Sequence, residues 1–215
     1  MDALPFEVRL ELEGWKLFWA LLEVCDADRG ALTSVAREVV ARVRSEMQIE
    51  TLSAHPTVAA LRKLFKAAGT DPTRYRPSSE ALLRRLLKGE DMPAISPLVD
   101  LNNCLSARLA VPCCVMAQEA LSPPFLFRAG KAGESYESLR GPFNLEGKPL
   151  LLDAKGPCDA PITGSQRVKV TPETQRAWLV AYLPAGVVSP EIAERAITEL
   201  LQAAPVAKLL LRGAS

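Results

Sequence analysis

Few side chains in this sequence are of the types that carry out chemistry, and most of them are thiols. His55 is the single histidine of the chain. The five cysteines are Cys25, Cys104, Cys113, Cys114 and Cys158. Their number is odd, no two have the C-x-x-C spacing, and one histidine supplies too few further ligands for a structural zinc site. We therefore expect reduced thiols, as in cytoplasmic proteins, and neither a metal ion nor another cofactor.

The histidine and the adjacent cysteines are the candidates for acid–base or nucleophilic catalysis. His55 stands directly before Pro56 at the start of a predicted helix, where a structural polar residue is common, and no partner for it is obvious. Cys113 and Cys114 lie in the apolar stretch "VPCCVM" without a basic neighbour that would lower their pKa, which favours buried structural thiols over a nucleophile. The sequence has no G-x-G-x-x-G, P-loop, G-x-S-x-G or H-E-x-x-H motif. The residues alone therefore give no evident catalytic set.

Charge and hydropathy limit the classes of partner. The net charge is +1, with 26 basic and 25 acidic residues, which argues against non-specific binding to duplex DNA. A local basic strip is formed by Arg84, Arg85 and Lys88; a solvated helix face is the favoured interpretation, and contact with the phosphates of a nucleic acid is the alternative. No apolar run reaches the roughly 20 residues that cross a bilayer, and the N-terminal sequence does not resemble a signal peptide. We expect a cytoplasmic protein without membrane contact.

Hydrophobic patterns in the first half of the chain predict strands followed by four helices. The stretch "FEVRLEL" alternates apolar and charged residues, which predicts a half-buried strand. The stretch "KLFWALLEVCD" is short and apolar on both faces, which suits a central strand, although periodicity alone leaves a helix open. Helical spacing and N-cap residues predict helices that start at Thr33 or Ser34, at Pro56, at Ser78 or Ser79, and at Pro97 with Ser96 as its cap.

The second half of the chain has the pattern of a sheet with one late helix. Short apolar runs separated by Gly, Pro and Asp, namely "FLFRA", "KPLLLDA", "AWLVAYL" and "AKLLLRG", predict strands. The stretch "SPEIAERAITELLQAA" predicts a capped amphipathic helix. The order of these elements predicts an α+β fold in which a mixed β-sheet packs with several helices, in a single domain that spans residues 1–215.

Two segments together resemble a known family. "RPSSEALLRRLLKG" followed by "ISPLVDLNNCLSARLAVP" resembles the first half of the tRNA-editing domain in the β subunit of bacterial phenylalanyl-tRNA synthetase, and of proteins that consist of this domain alone. "LEGKPLLLDAKGPCDAPITGSQRVKVTPETQRAWLV" resembles the second half. The resemblance covers residues 56–184, so residues 1–55 are expected to complete the domain with strands and a helix, and residues 185–215 with a helix and a strand.

The first segment departs from the family where a titratable side chain is expected. Val99, Asp100 and Asn103 match the family pattern V-D-x-x-N. The family pattern G-Q-P-x-H-A-F-D places its histidine on Cys114 and its aspartate on Ala117. These two replacements remove groups that could position an ester or a water molecule, so the synthetase mechanism does not carry over intact.

The second segment keeps part of a glycine-rich loop. Gly164 matches one glycine of that loop, whereas Ser165 and Pro161 replace two others. Asp153 and Thr171 match their counterparts in the family. Pro161 lacks an N–H donor and fixes φ near −65°, so the loop cannot follow the glycine version throughout.

The resemblance implies hydrolysis of a mischarged aminoacyl-tRNA ester by an editing protein that acts in trans. A non-catalytic module that binds tRNA or a free amino acid, and a protein-interaction domain that keeps only the fold, remain open alternatives. The expected partner is the 3′ end of a tRNA or aminoacyl-tRNA, or a free amino acid. The catalytic candidates are Cys114 and Ser165, and the candidate tRNA-binding residues are Arg84, Arg85 and Lys88. The expected substrate-binding residues are Asp100, Asn103, Ser106, Thr163, Gly164, Ser165 and Gln166.

Overall fold

The computed structural model of the protein describes residues 6–215. The expectation that the domain includes residues 1–5 therefore lies outside the described part of the chain. The strands are β1 (Val8–Leu10), β2 (Trp15–Val24), β3 (Cys113–Ala117), β4 (Phe125–Ala129), β5 (Ser135–Ser138), β6 (Gly141–Asn144), β7 (Pro149–Asp153), β8 (Gly156–Ala160), β9 (Thr163–Gly164), β10 (Arg176–Pro184) and β11 (Ala207–Ala214). The helices are α1 (Arg29–Glu46), α2 (Pro56–Ala67), α3 (Ser78–Leu87), α4 (Pro97–Leu109) and α5 (Pro190–Ala203). The predicted α+β class with a mixed sheet and several helices is confirmed.

Two sheets and a short hairpin make up the β structure. A four-stranded antiparallel sheet has the order β11-β2-β10-β3, and a five-stranded sheet has the order β1-β4-β7-β8-β9. The five-stranded sheet is mixed because β1 pairs with β4 in parallel while its other pairs are antiparallel. Strands β5 and β6 form a separate hairpin. The stretch that left strand and helix open is therefore β2, a strand with neighbours on both sides.

The four-stranded sheet is covered on both faces, which explains why β2 and β10 are almost wholly apolar. Helices α1, α3, α4 and α5 pack in one hydrophobic core on its first face. The five-stranded sheet and part of α2 pack on its second face, where the aromatic rings of Phe6, Trp19, Phe125 and Trp178 lie together. We call the space between the two sheets the inter-sheet layer. No helix within residues 6–215 is long and apolar enough to cross a membrane.

Two predicted helix caps were wrong. Helix α1 begins one turn earlier than expected, because Asp28 Oδ1 accepts hydrogen bonds from the backbone N–H groups of Gly30 and Ala31 at 2.9 and 3.0 Å. Helix α3 has Pro77 at the N-cap position, and no serine side chain caps it. The backbone N–H of Ser78 donates instead to the carbonyl of Pro161 at 2.9 Å. A long-range partner thus replaces the local cap that the sequence suggests.

The other predicted helix starts are confirmed. Helix α2 begins at Pro56 and helix α4 at Pro97, with Ser96 in the N-cap position. The Ser96 hydroxyl makes no capping bond, however, and the Asp100 carboxylate accepts the N–H of Ile95 at 2.7 Å in the preceding loop. Helix α5 begins after Ser189, whose hydroxyl accepts the N–H of Ile192.

Gly130 offers a test of the close approach between β4 and the loop before β7. A Cβ atom at this position would lie 1.9 Å from the carbonyl oxygen of Leu145, which is backbone and cannot yield easily. We expect Gly130→Ala to lower the free energy of unfolding by about 2 kcal/mol or more in urea denaturation. Gly164→Ala is the control, because its Cβ would come no closer than 3.4 Å to a neighbour. Equal stability of the two variants would contradict the close approach.

Candidate functional site

A polar cluster lies in the inter-sheet layer, which is otherwise apolar. Asp159 on β8, Tyr182 on β10 and Cys114 on β3 come from three different strands of the two sheets. Tyr182 Oη donates to Asp159 Oδ2 at 2.6 Å, and Cys114 Sγ lies 3.9 Å from Tyr182 Oη. Asp159 is 2% exposed and Tyr182 is fully buried. A buried carboxyl with one short hydrogen bond and a neighbouring thiol is an arrangement that can hold or move a proton.

Burial sets the protonation state of this cluster. Loss of hydration raises the pKa of the Asp159 carboxyl to about 7, although the hydrogen bonds from Tyr182 and Cys114 oppose the rise. Burial also raises the pKa of the Cys114 thiol well above its usual range, and the nearby Asp159 charge adds to the effect. At neutral pH the carboxyl is therefore divided between its two forms, while the thiol keeps its proton. Of the two groups, Asp159 is the one that can act as a base.

Glycine 164 and the tip of the β5–β6 hairpin cover Asp159. Gly164 pairs directly with Asp159 in the β8–β9 ladder. A Cβ at Gly164 would lie 3.4 Å from Leu139 Cδ1 and 3.5 Å from Asp159 Oδ1. The backbone N–H of Leu139 donates to the Gly164 carbonyl at 3.0 Å, and the Leu139 side chain is 53% exposed. The missing side chain at position 164 thus leaves the carboxyl close to an exposed hairpin tip.

A free hydrogen-bond acceptor lies on α4 beside the edge strand β3. Asn102 is 6% exposed, and its Nδ2 donates to the carbonyl of Cys113 at 3.2 Å. That bond fixes the orientation of the amide, and within residues 6–215 its Oδ1 has no partner. An unsatisfied buried acceptor costs roughly 1–3 kcal/mol. A ligand N–H or O–H at this position would remove that cost.

Two of the predicted substrate-binding residues on α4 fix the ends of the helix. Asp100 closes the loop before the helix through the N–H of Ile95, and the Ser106 hydroxyl donates to the carbonyl of Val111 at 2.7 Å just after it. Burial raises the pKa of the Asp100 carboxyl, and its backbone hydrogen bonds act against that rise. Asn103 is partly exposed, next to Asn102.

The predicted residues around β9 lie beside Asp159. Thr163 and Gly164 form β9, and the Thr163 carbonyl accepts the hydroxyl of Tyr136. Ser165 is 3% exposed, and its Oγ accepts the N–H of Arg167 at 3.2 Å. Gln166 is partly exposed at the start of the following helical turn. The structure therefore brings Cys114 and Gly164 together around Asp159, whereas the Ser165 oxygen caps a local turn.

The predicted tRNA-binding strip on α3 is partly neutralised. Arg84 Nε bonds to Glu80 Oε1 at 3.0 Å, and Arg85 Nε bonds to Glu90 Oε2 at 2.8 Å. Lys88 is exposed at the C-cap of the helix. Two of the three cations therefore already face carboxylates within the protein.

Further family positions serve the fold. The Asp153 carboxylate accepts two hydrogen bonds from the Arg167 guanidinium and two backbone N–H groups, those of Ser122 and Lys155. His55 occupies the N-cap position of α2, as its place in the sequence predicts, and partial burial lowers its pKa. Among residues 6–215, no group of three or more His, Cys, Asp or Glu side chains is arranged to hold a metal ion.

Sequence reasoning missed Asp159, Tyr182 and Asn102. Two of them carry a faint signal, because Asp159 is the one acid in the short strand "GPCDA" and Tyr182 is the one hydroxyl residue in "AWLVAYLP". A lone polar residue in a buried strand must find a partner. Which partner it finds depends on the contact between two sheets, and that contact has no local pattern.

A groove between α1, α4 and α5 lies on the opposite face of the four-stranded sheet from the cluster. Four of its five charged side chains are paired, Arg42 with Glu46 and Arg108 with Glu199, and the fifth, Glu38, is exposed. We therefore place the candidate site at Asp159.

The comparison with protein families agrees with the resemblance of the sequence. Residues 60–200 match the B3/4 domain family. This chain is similar in structure to an N-terminal fragment of the phenylalanyl-tRNA synthetase β-subunit from Pyrococcus horikoshii, with 14% sequence identity and a TM-score of 0.46. The match covers 93% of this chain and 50% of the fragment, so this chain spans about half of the fragment's length. No curated protein matches the sequence. Because the family match covers more than half of the residues, the chain belongs to the B3/4 domain family, the editing-type domain of the phenylalanyl-tRNA synthetase β-subunit.

Proposed function

We propose that this protein hydrolyses the ester bond of mischarged aminoacyl-tRNA in trans, with Asp159 as the group that activates water. The observation that carries the proposal is the Asp159 carboxyl, which is 2% exposed and accepts a 2.6 Å hydrogen bond from the Tyr182 hydroxyl. Burial raises the pKa of this carboxyl to about 7. A general base works best when its pKa lies near the working pH. The substrate is the aminoacylated 3′ end of a tRNA, and the place of action is the cytoplasm.

The reaction needs one general base and forms no covalent bond between the substrate and the protein. The Asp159 carboxylate takes a proton from a water molecule as the water oxygen attacks the ester carbonyl carbon. The tetrahedral intermediate then expels the ribose oxygen of the tRNA, which takes the proton back from Asp159. The products are a free amino acid and a deacylated tRNA, and the carboxylate is regenerated.

Neighbouring groups have supporting roles in this proposal. The Tyr182 hydroxyl fixes the position of Asp159 through its 2.6 Å bond. Leu139 at the hairpin tip and the bare Cα of Gly164 govern access to Asp159. The substrate must displace Leu139, because Asp159 itself is almost fully buried.

The proposal is tested by a deacylation assay with a panel of mischarged tRNAs, including a phenylalanine tRNA charged with tyrosine. We expect at least one ester to be hydrolysed faster with the protein than without it. If no ester in the panel is turned over, the proposed function is rejected.

Cys114 occupies the position where the family has histidine. Its substitution distinguishes activation of water by Asp159 from nucleophilic attack by the Cys114 thiol. Because burial keeps the thiol protonated, we expect Cys114→Ala to retain deacylation within about tenfold and wild-type activity to survive iodoacetamide at pH 7. Cys113→Ala is the matched control, because the Cys113 thiol bonds to the Val111 carbonyl and packs against the helical core instead. Loss of activity in Cys114→Ala alone, by a factor of 1,000 or so, would instead make the thiol the nucleophile.

The second candidate function is a binding module without chemistry, for tRNA or for a free amino acid. The observation in its favour is the 2% exposure of Asp159, which leaves the base enclosed unless the hairpin tip moves. Under this alternative the panel shows binding of the 3′ end or of an amino acid, and no ester is hydrolysed.

A further inference from the structure

Positive charge is concentrated in one segment of the chain. Residues 62–88, from the middle of α2 to the end of α3, contain eight basic and two acidic residues, a net charge of +6. The whole protein carries only +1. The rest of the chain is therefore net acidic, and a polyanion would be drawn to this segment and repelled elsewhere.

A single buried carboxylate organises the cations of this segment. Glu80 is fully buried, and its oxygens lie 3.0 Å from Arg62 Nη1, 3.0 Å from Arg84 Nε and 3.9 Å from Arg76 Nε. One negative charge thus faces three guanidinium groups, which leaves two positive charges uncompensated. Each guanidinium has five N–H donors, so donors remain for an external anion.

The loop between α2 and α3 is held in place by these side chains. Arg62 also donates to the carbonyl of Pro72 and to the hydroxyl of Thr73, and the Thr73 N–H donates to Asp71 Oδ1 at 2.8 Å. Arg74, in the same loop, is exposed. A fixed loop with exposed cations pays little ordering entropy when it binds.

The same segment adjoins the candidate site at two points. Ser78 bonds to the carbonyl of Pro161, in the turn between Asp159 and β9. The ring of Tyr75 packs edge-on against Phe143, in the hairpin that carries Leu139, and Lys148 Nζ lies 4.2 Å from the Tyr75 ring centre. A chain bound along the segment therefore passes close to the cover of Asp159.

We propose that Arg62, Arg74, Arg76 and Arg84, which we call the elbow surface, bind the phosphate backbone of an RNA whose 3′ end enters the site at Asp159. The inference deepens the proposed function and rests on it. It places the main RNA contact at the loop between α2 and α3, so that only Arg84 of the predicted strip takes part and Arg85 and Lys88 do not. Bidentate guanidinium groups suit phosphates, and a polyphosphate chain spans several of them at once.

The test is the salt dependence of tRNA binding, measured by fluorescence anisotropy with labelled uncharged tRNA. The variant Arg74→Gln/Arg76→Gln removes two charges, so we expect roughly tenfold weaker binding at 100 mM salt and a slope of log affinity against log salt that is smaller by about 2. The control Arg195→Gln/Lys208→Gln removes two exposed charges from α5 and β11, and β11 is the sheet edge opposite β3. The control should bind like wild type.

A variant with one substitution tests whether weaker binding by the double variant results from misfolding. Arg74→Glu changes an exposed side chain that forms no ion pair within residues 6–215, and we expect it to weaken tRNA binding by itself. Equal affinity and equal salt slope for wild type and both elbow variants would overturn the inference. Poly-L-glutamate binding as tight as that of tRNA, with the same loss in the variants, would assign the surface to an acidic protein and also overturn it.

A substrate without phosphates separates this inference from the proposed function. We expect wild type and Arg74→Gln/Arg76→Gln to hydrolyse the matching aminoacyl ester of adenosine equally, while the variant is slower on the full mischarged tRNA at low concentration. Equal rates of both proteins on the tRNA would reject the elbow surface and leave the hydrolase proposal standing. Absence of ester hydrolysis together with the predicted salt slopes would reject the hydrolase and leave the RNA contact standing.

Discussion

Replacing Asp159 by asparagine is expected to lower kcat/KM for ester hydrolysis by about 100-fold or more. Asparagine has nearly the same shape and can still accept the hydrogen bond from Tyr182, but it cannot take a proton from water. The measurement is the initial rate on the best mischarged tRNA of the panel. Wild-type activity in Asp159→Asn would remove Asp159 from the mechanism.

The pH profile is a second readout that a purely structural role of Asp159 would not produce. If the carboxylate is the base, kcat/KM rises as pH increases through about 7 and is constant above that range. Tyr182→Phe removes a hydrogen bond that lowers the pKa of Asp159, so its profile should shift to higher pH. A profile with the same midpoint in wild type and Tyr182→Phe would contradict this assignment.

The same group makes a contribution to stability that can be measured without substrate. The pKa of Asp159 in the folded protein is raised to about 7 from the usual value near 3.8, so the folded state holds a proton that the unfolded chain releases between these values. The contribution to the free energy of unfolding is therefore full below about pH 4 and is lost as pH rises towards 7. Asp159→Asn should lack this part of the pH dependence in urea denaturation. Curves of the same shape for both proteins would show that the carboxyl is not buried as described.

The fold was predictable wherever local pattern and burial agree. The stretch from Pro56 to Ala67 has a helical apolar face, a proline in its first turn and a glycine after its end, and it forms α2 with these limits. The predicted cap of α1 is wrong because Asp28, five residues before Thr33, accepts the N–H groups of Gly30 and Ala31, so Thr33 lies inside the helix. The cap of α3 could not be predicted, since the partner of Ser78 is a carbonyl 83 positions away in sequence.

The site was predictable only in part, for a similar reason. The resemblance pointed to Cys114 and to Gly164, which do lie on either side of the cluster. Asp159 was not predicted because burial between the two sheets is the largest cause of its raised pKa. Residues near Asp159 in sequence give no sign of that burial. The polar side chain of Ser106 predicts a substrate contact, but its hydroxyl donates to the carbonyl of Val111. A polar side chain in a sequence does not show whether its partner is the protein or a ligand.

Substitution of Glu80 is expected to have the largest effect on stability. Glu80→Gln keeps the shape but removes the charge that holds Arg62 on α2 and Arg84 on α3, so the guanidinium groups lose their shared partner. We expect the free energy of unfolding to fall by about 2 kcal/mol or more. Loss of a partner from a fully buried ion pair costs more, but these arginines are partly hydrated. Urea denaturation at low and high salt measures it.

Glu90→Gln is the matched control for Glu80→Gln, because both remove a carboxylate that pairs with an arginine of α3. Both side chains of the Arg85–Glu90 pair are about half exposed, 48% and 49%, so this variant should cost less than about 1 kcal/mol. Similar losses in the two variants would mean that Glu80 is not the anchor of the segment. A larger loss of unfolding free energy for Glu80→Gln, together with weaker tRNA binding by the folded variant, would show that the Glu80 carboxylate orients the arginines of the elbow surface. Removing a negative charge would otherwise strengthen the attraction for RNA, so the sign of the change in affinity separates positioning from net charge.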